Sequence, residues 1–171
     1  FFGQPAAKTG LDHKTCKPSC ACGSASFTFT QPSVAQIDAW AAAPSPAMAT
    51  PTTDPYEGGV TPTPGVCGVL NHKDGTYSLV SADDEAGLQA KGAKLTHHAR
   101  CGLCSGLADL AVYTRETDLT QPVRACGLSH FDDLAGNVQC LRDIGFTSPC
   151  AWIWAYNTRH TRVKCLDVCL K

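Results

Sequence analysis

The sequence has no long hydrophobic run. Nowhere do its apolar residues approach the roughly 18 in succession that a membrane-spanning helix requires. It has almost no net charge either: 14 Lys and Arg against 15 Asp and Glu leave −1, so the strongly basic face that nucleic acid demands is not there. No Asn-x-Ser/Thr sequon occurs, since Asn71, Asn137 and Asn157 all fail the pattern, and any glycan is therefore expected on oxygen. A glycine-rich phosphate loop is missing, and so is any internal repeat. Carboxylates cluster only as sequence neighbours, in Asp83-Asp84-Glu85 and Asp132-Asp133. Such neighbours do not by themselves face one another across a glycosidic bond, and they read more simply as helix N-terminal charges. No cofactor is expected.

Cysteine is what the sequence has in abundance, 11 in 171 residues. A chain of this length buries a core without covalent help, so the cysteines report the compartment: a secreted, extracellular protein whose sulfurs are oxidised. The first residue, Phe1, is expected for a chain that has lost a signal peptide, or for a fragment. Eleven is odd. If Cys16, Cys20, Cys22, Cys67, Cys101, Cys104, Cys126, Cys140, Cys150, Cys165 and Cys169 all seek disulfides, one is left as a free thiol or for a second chain.

Nine of the 11 prolines precede residue 65, while seven of the cysteines follow residue 100. The chain divides accordingly into a Cys-rich arm (1–42), a Pro/Thr/Ser-rich connector (43–65) and a body (66–171). In the arm, "SFTFT" (26–30) alternates with the period of a short strand, and "VAQIDAWAAA" (34–43) suits a short helix. The connector should be extended, because each proline removes a donor and restricts its predecessor. Its composition is that of an O-glycosylated stalk, with Ser45, Thr50, Thr52, Thr53, Thr61 and Thr63 as acceptors.

The body opens with a hairpin, "VCGVLN-HKDG-TYSLVS", in which Asp74-Gly75 should supply positive φ angles. Ser81 is a candidate cap for the helix that follows, which Gly92 stops. "AKLTHH" (93–98) reads as another strand. Helical patterns then centre on Leu103, Leu107, Leu110 and Ala111; on a segment opened by Asp118 or Thr120 with Pro122; on Leu134, Val138 and Leu141, stopped at Gly145; and on Ser148-Pro149 leading to Trp152, Ile153 and Tyr156. The expected fold is α+β: a small antiparallel sheet followed by a disulfide-stapled helical cluster, with an N-terminal strand on a Pro-rich connector.

Within it, "AKLTHHARCGLCSGLADLAVY" places Cys101 and Cys104 between a strand and a helix. Locally this resembles a thioredoxin-type site, in which a helix N-terminus stabilises a thiolate. That family needs further strands downstream, where this sequence turns helical. "CGLCS" also resembles the papain-type pattern, which implies Cys104 as nucleophile beside a bonded Cys101. Its histidine base would have to come from His97, His98, His130 or His160; Asn157 and His160 are too close in sequence to match that family. Imidazoles of His97 or His98 with the two thiolates also have zinc-like spacing, but adjacent strand histidines point to opposite faces. Structural disulfides, each half of the CxxC bonding a different helix, account for the motif most simply.

Two further features bear on partners. Arg159, His160, Arg162 and Lys164 read as a solvated helix end. Trp152, Trp154 and Tyr156 are candidates for stacking carbohydrate, or for core. The sequence therefore describes an extracellular structural or adhesive protein that assembles with copies of itself, into filaments if contacts do not close, through Phe1, Phe2, Phe27 and Phe29 of its arm. The alternative is a small secreted enzyme using Cys104, Cys101 and His98.

Overall fold

Ser33 opens the first helix, its Oγ accepting from the Gln36 N–H at 3.2 Å where α1 (Val34–Ala42) begins. The computed structural model describes residues 32–58, 63–116 and 118–169, without the side chains of 166–169. The "SFTFT" strand, Phe1, Phe2, Phe27, Phe29, Cys16, Cys20, Cys22 and Thr61 lie outside these residues, as does the side chain of Cys169.

The hairpin of β1 (Val66–Asn71) and β2 (Tyr77–Ala82) pairs antiparallel with Val66 opposite Ala82 and Asn71 opposite Tyr77. Its loop closes through His72 N–H to Thr76 O (2.8 Å) and Gly75 N–H to His72 O (3.2 Å). Only Gly75 takes a positive φ, +83°. Asp74 instead accepts from Thr76 N–H at 3.0 Å and Thr76 Oγ1 at 2.6 Å, and these bonds hold its carboxyl below the usual carboxylate range. The helix α2 (Glu85–Ala90) is capped by Asp84, whose Oδ1 accepts from Gly87 N–H at 2.8 Å. Ser81, the expected cap, is still in β2.

Strand β3 (Lys94–His98) joins the other side of β1, giving the order β2-β1-β3. Central β1 is buried from Val66 to Val69 because both faces of the sheet are covered. Val66, Ala82, Leu88 and Ala93 form a core on the α2 side. Val69 and Tyr77 form a second with Leu107, Trp40 and Leu110. The β1–β3 register slips at Cys67/Gly68. Gly68 is needed there: a Cβ on it would lie 2.6 Å from the Lys94 carbonyl oxygen.

Four further helices follow: α3 (Leu107–Arg115), α4 (Thr120–Ser129), α5 (Leu134–Ile144) and α6 (Ser148–Cys169). Their shared core is Val112, Val123, Val138, Leu141, Phe146, Ala151 and Ala155 with the sulfurs of Cys126 and Cys150. Leu141 is fully buried, which contributes roughly 1.5–3 kcal/mol. Asp133 caps α5, and Gly145, at φ +121°, ends it as expected. The result is an α+β fold with a three-stranded antiparallel sheet and disulfide-stapled helices.

Helix α1 packs on α3, held also by Arg115 to Asp38 at 2.5 Å, so this part of the 1–42 segment is docked on the body. The connector is not extended throughout. Residues 55–58 form a turn, where Asp54 meets Arg159 at 2.7 Å with its side chain only 5% exposed. Tyr56 stacks on His160 with centroids 5.4 Å apart. The proline-based expectation of a connector extended throughout gives way here because an ion pair and a ring contact to α6 anchor the segment.

Candidate functional site

The CxxC does not open a helix. Cys101 and Cys104 lie in a turn, and α3 begins only at Leu107, after the cap residue Gly106. Ser105 makes that turn: its Oγ accepts from Gly102 N–H at 2.8 Å, and its own N–H donates to Gly102 O at 3.1 Å. Tyr77 Oη then accepts from the Leu107 N–H at 2.9 Å, satisfying a donor that the helix start leaves open. The thiolate-stabilising geometry of a cysteine on a helix N-terminus is thus not formed.

Nor are the two sulfurs joined to one another. Cys101 bonds Cys67 on β1, and Cys104 bonds Cys150 on α6. One staple goes to a helix as expected; the other goes to a strand, because the turn after β3 brings Cys101 back beside the central strand. A sulfur in a disulfide is neither a nucleophile nor a thiolate ligand. The papain-like role for Cys104 and the redox role for the Cys101–Cys104 pair therefore both lack their reactive group. The third staple, Cys126–Cys140, ties α4 to α5.

The histidines alternate across β3. His98 faces Glu85 at the start of α2, its Nε2 3.5 Å from Oε1. His97 turns toward the CxxC turn, with Nε2 3.3 Å from Ser105 Oγ and Nδ1 3.2 Å from Thr96 Oγ1. Burial pushes the His97 pKa down, favouring the neutral ring. A serine beside a neutral histidine has the first two members of a hydrolytic triad, and sequence reading passed over Ser105. The arrangement stops there. Ser105 is buried, its oxygen is engaged by Gly102, and a threonine hydroxyl occupies the place of the orienting carboxylate.

Asp109, the buried acidic residue among the described residues, is engaged elsewhere. It is completely buried and accepts from Thr147 N–H and Thr147 Oγ1, both at 2.8 Å. Burial raises its pKa against the effect of those bonds. Asp109 thereby ties α3 to the start of α6. Among the described residues no group of three or more His, Cys, Asp or Glu could hold a metal ion.

The aromatic residues of α6 do not form a flat strip. Trp154 packs among Tyr113 and Phe146 and donates from Nε1 to Tyr113 Oη at 2.8 Å. Burial drives the Tyr113 pKa up to about 12. Trp152 pairs instead with Tyr156, which is buried. The basic cluster is likewise engaged: Arg159 with Asp54 and Glu57, and Arg162 over the Phe131 ring at 4.2 Å.

That last contact belongs to a cleft between α4, α5 and α6, with about 110 Å³ of free volume. Gly127, His130, Phe131, Asn137, Thr158 and Arg162 are among its lining residues. The absent side chain of Gly127 lets α6 approach, since a Cβ there would meet Thr158 Cγ2 at 2.5 Å. Nothing in the sequence marked Asn137 as a site residue, because it sits at a position of α5 that reads simply as helix interior. Its buried amide is the one signal, and it exists only in three dimensions.

A protein-family model described as a family of unknown function (DUF8771) matches residues 135–171. That segment carries α6 and nearly all of α5, and with them Asn137, Thr158, Arg159 and Arg162 of the cleft. No curated protein and no solved structure matches the chain.

Proposed function

We propose that this is an extracellular structural or adhesive protein, a rigid stapled body that assembles with copies of itself through its N-terminal arm. The observation that carries the reading is the state of the cysteines. Both halves of the CxxC are consumed in staples to different elements, whereas Cys165, exposed near the end of α6, has no disulfide partner among the described residues. Closed disulfides suit an oxidising compartment, and no helix among the described residues is long and apolar enough to cross a membrane. Five cysteines remain beyond the three staples, an odd number, so within this sequence at least one is unpaired and open to a bond with a second chain. Ser45, Thr50, Thr52, Thr53 and Thr63 are all exposed, which supports O-glycosylation of the connector.

The experiment compares electrophoresis with and without reductant, and light scattering of the intact chain against one lacking residues 1–30. The expected result is a reductant-sensitive ladder and large particles that shrink when the arm is removed. A strictly monomeric intact protein at high concentration, or a truncated chain that assembles equally well, overturns the reading.

A further inference from the structure

The α4–α5–α6 cleft combines two features that packing alone does not require. Asn137 is 4% exposed, and its Oδ1 is buried without a hydrogen-bond partner. Native proteins rarely leave such an atom orphaned. Oδ1 is the only buried side-chain nitrogen or oxygen without a partner among the described residues. The Nδ2 of the same amide, which makes no hydrogen bond there either, therefore keeps contact with free space, and the space Asn137 borders is the cleft.

The second feature is Arg162. Its guanidinium Cζ lies 4.2 Å from the Phe131 ring centroid, a cation–π contact that holds the charge at the cleft wall without using its N–H donors. Yet among the described residues its one carboxylate contact, Asp132 Oδ1, is 3.8 Å away, beyond hydrogen-bond distance, on a side chain 89% exposed. Arg159, in the same wall, is already neutralised by Asp54 and Glu57. The cleft thus holds two donors without a hydrogen bond among the described residues, the Arg162 guanidinium and the Asn137 Nδ2, with the Phe131 ring and the Leu134 carbons beside them.

From this geometry we infer a binding site for the carboxylate of a small organic acid. Arg162 receives the carboxylate through its planar fork, displacing the loose contact to Asp132, and the Asn137 amide donates to an oxygen of the same carboxylate or, in a sugar, to a hydroxyl beside it. The free volume of about 110 Å³ is several times the roughly 10–15 Å³ that a single water-sized group needs, enough for a carboxylate and the atoms next to it. The acid is either a free molecule with an apolar body against Phe131 and Leu134, or a terminal uronate whose carboxylate edge enters the cleft while the rest of the sugar stays outside it.

The oxidised full chain, labelled with nitrogen-15, is titrated with benzoate, glucuronate and sulfate while the Asn137 side-chain amide and the Arg162 Nε–H are followed by NMR. Saturable shifts of both groups are expected, with a Kd of about 1 mM or tighter. Saturation by benzoate identifies the free apolar acid, and saturation by glucuronate the acidic sugar. Arg162→Lys keeps the charge but loses the fork and should weaken binding about tenfold. Asp132→Asn, at an exposed position, should tighten it severalfold by removing the internal competitor. A folded Asn137→Leu variant should bind more weakly than the native chain. No saturation by either carboxylate, equal affinity for sulfate, or unchanged affinity in Arg162→Lys and Asp132→Asn would each overturn the assignment.

Discussion

Removing the Cys104–Cys150 bond by replacing both cysteines with alanine should be the most damaging deletion among the three disulfides of the described residues. The bond closes a loop with a sequence separation of 46, against 34 for Cys67–Cys101 and 14 for Cys126–Cys140. Chain entropy grows with the logarithm of loop length, giving about 4 kcal/mol for the longest loop, slightly less for the middle one and about 3 for the shortest. Cys150 is also fully buried, so the lost sulfur leaves a cavity that adds on the order of 1 kcal/mol. The total of about 5 kcal/mol equals the whole stability of a marginal domain. Urea unfolding followed by circular dichroism, with the three double variants in parallel, measures the order directly, and the slope should rise as the freed unfolded chain expands. A Cys104/Cys150 variant losing under about 1 kcal/mol, or less than the Cys126/Cys140 variant, would refute the staple argument. So would rapid alkylation of Cys104 in the native, unreduced protein, because it would mean the sulfur is available for chemistry.

Three other outcomes follow from single positions. Gly68→Ala drives a Cβ to 2.6 Å from the Lys94 carbonyl oxygen, so it should cost about 2–3 kcal/mol and weaken hydrogen-exchange protection along β3; unchanged protection would show that the bulge has room to spare. Asp109→Ala strips Thr147 of both its partners and should cost about 2 kcal/mol in urea unfolding at neutral pH, less than two bonds to a charged group would suggest because a costly buried carboxylate goes with them. The pH dependence follows from His97, whose folded pKa lies below the ordinary 6.5. The unfolded state then takes up the proton first, so stability is full above about 6.5, falls as pH drops from there toward the depressed folded value, and levels off below it. His97→Gln should flatten that part of the stability–pH curve relative to the native chain, and an identical slope in the two proteins would remove His97 as its source.

Local chemistry was enough to place most of the body. Gly75 reverses the hairpin because it alone tolerates the angle, Gly145 stops α5 for the same reason, and the apolar spacing of Leu134, Val138 and Leu141 needs no partner to be read as one helix face. The cysteine count, likewise, implies an oxidising compartment before any coordinate is known. Competition between neighbours was harder to read: Asp84 won the α2 cap from Ser81 because β2 runs on through Ala82, a pairing set by Val66 on another strand. Everything that decides reactivity was longer in range still. Whether Cys101 is a thiolate depends on Cys67, 34 residues away, and whether Cys104 is one depends on Cys150. A connector rich in proline looks free until Arg159 on a distant helix binds Asp54. Asn137 and Arg162 lie 25 positions apart on different helices, with no motif between them. Their meeting at one cleft is a property of how α5 crosses α6, and side-chain packing, not sequence spacing, sets that crossing.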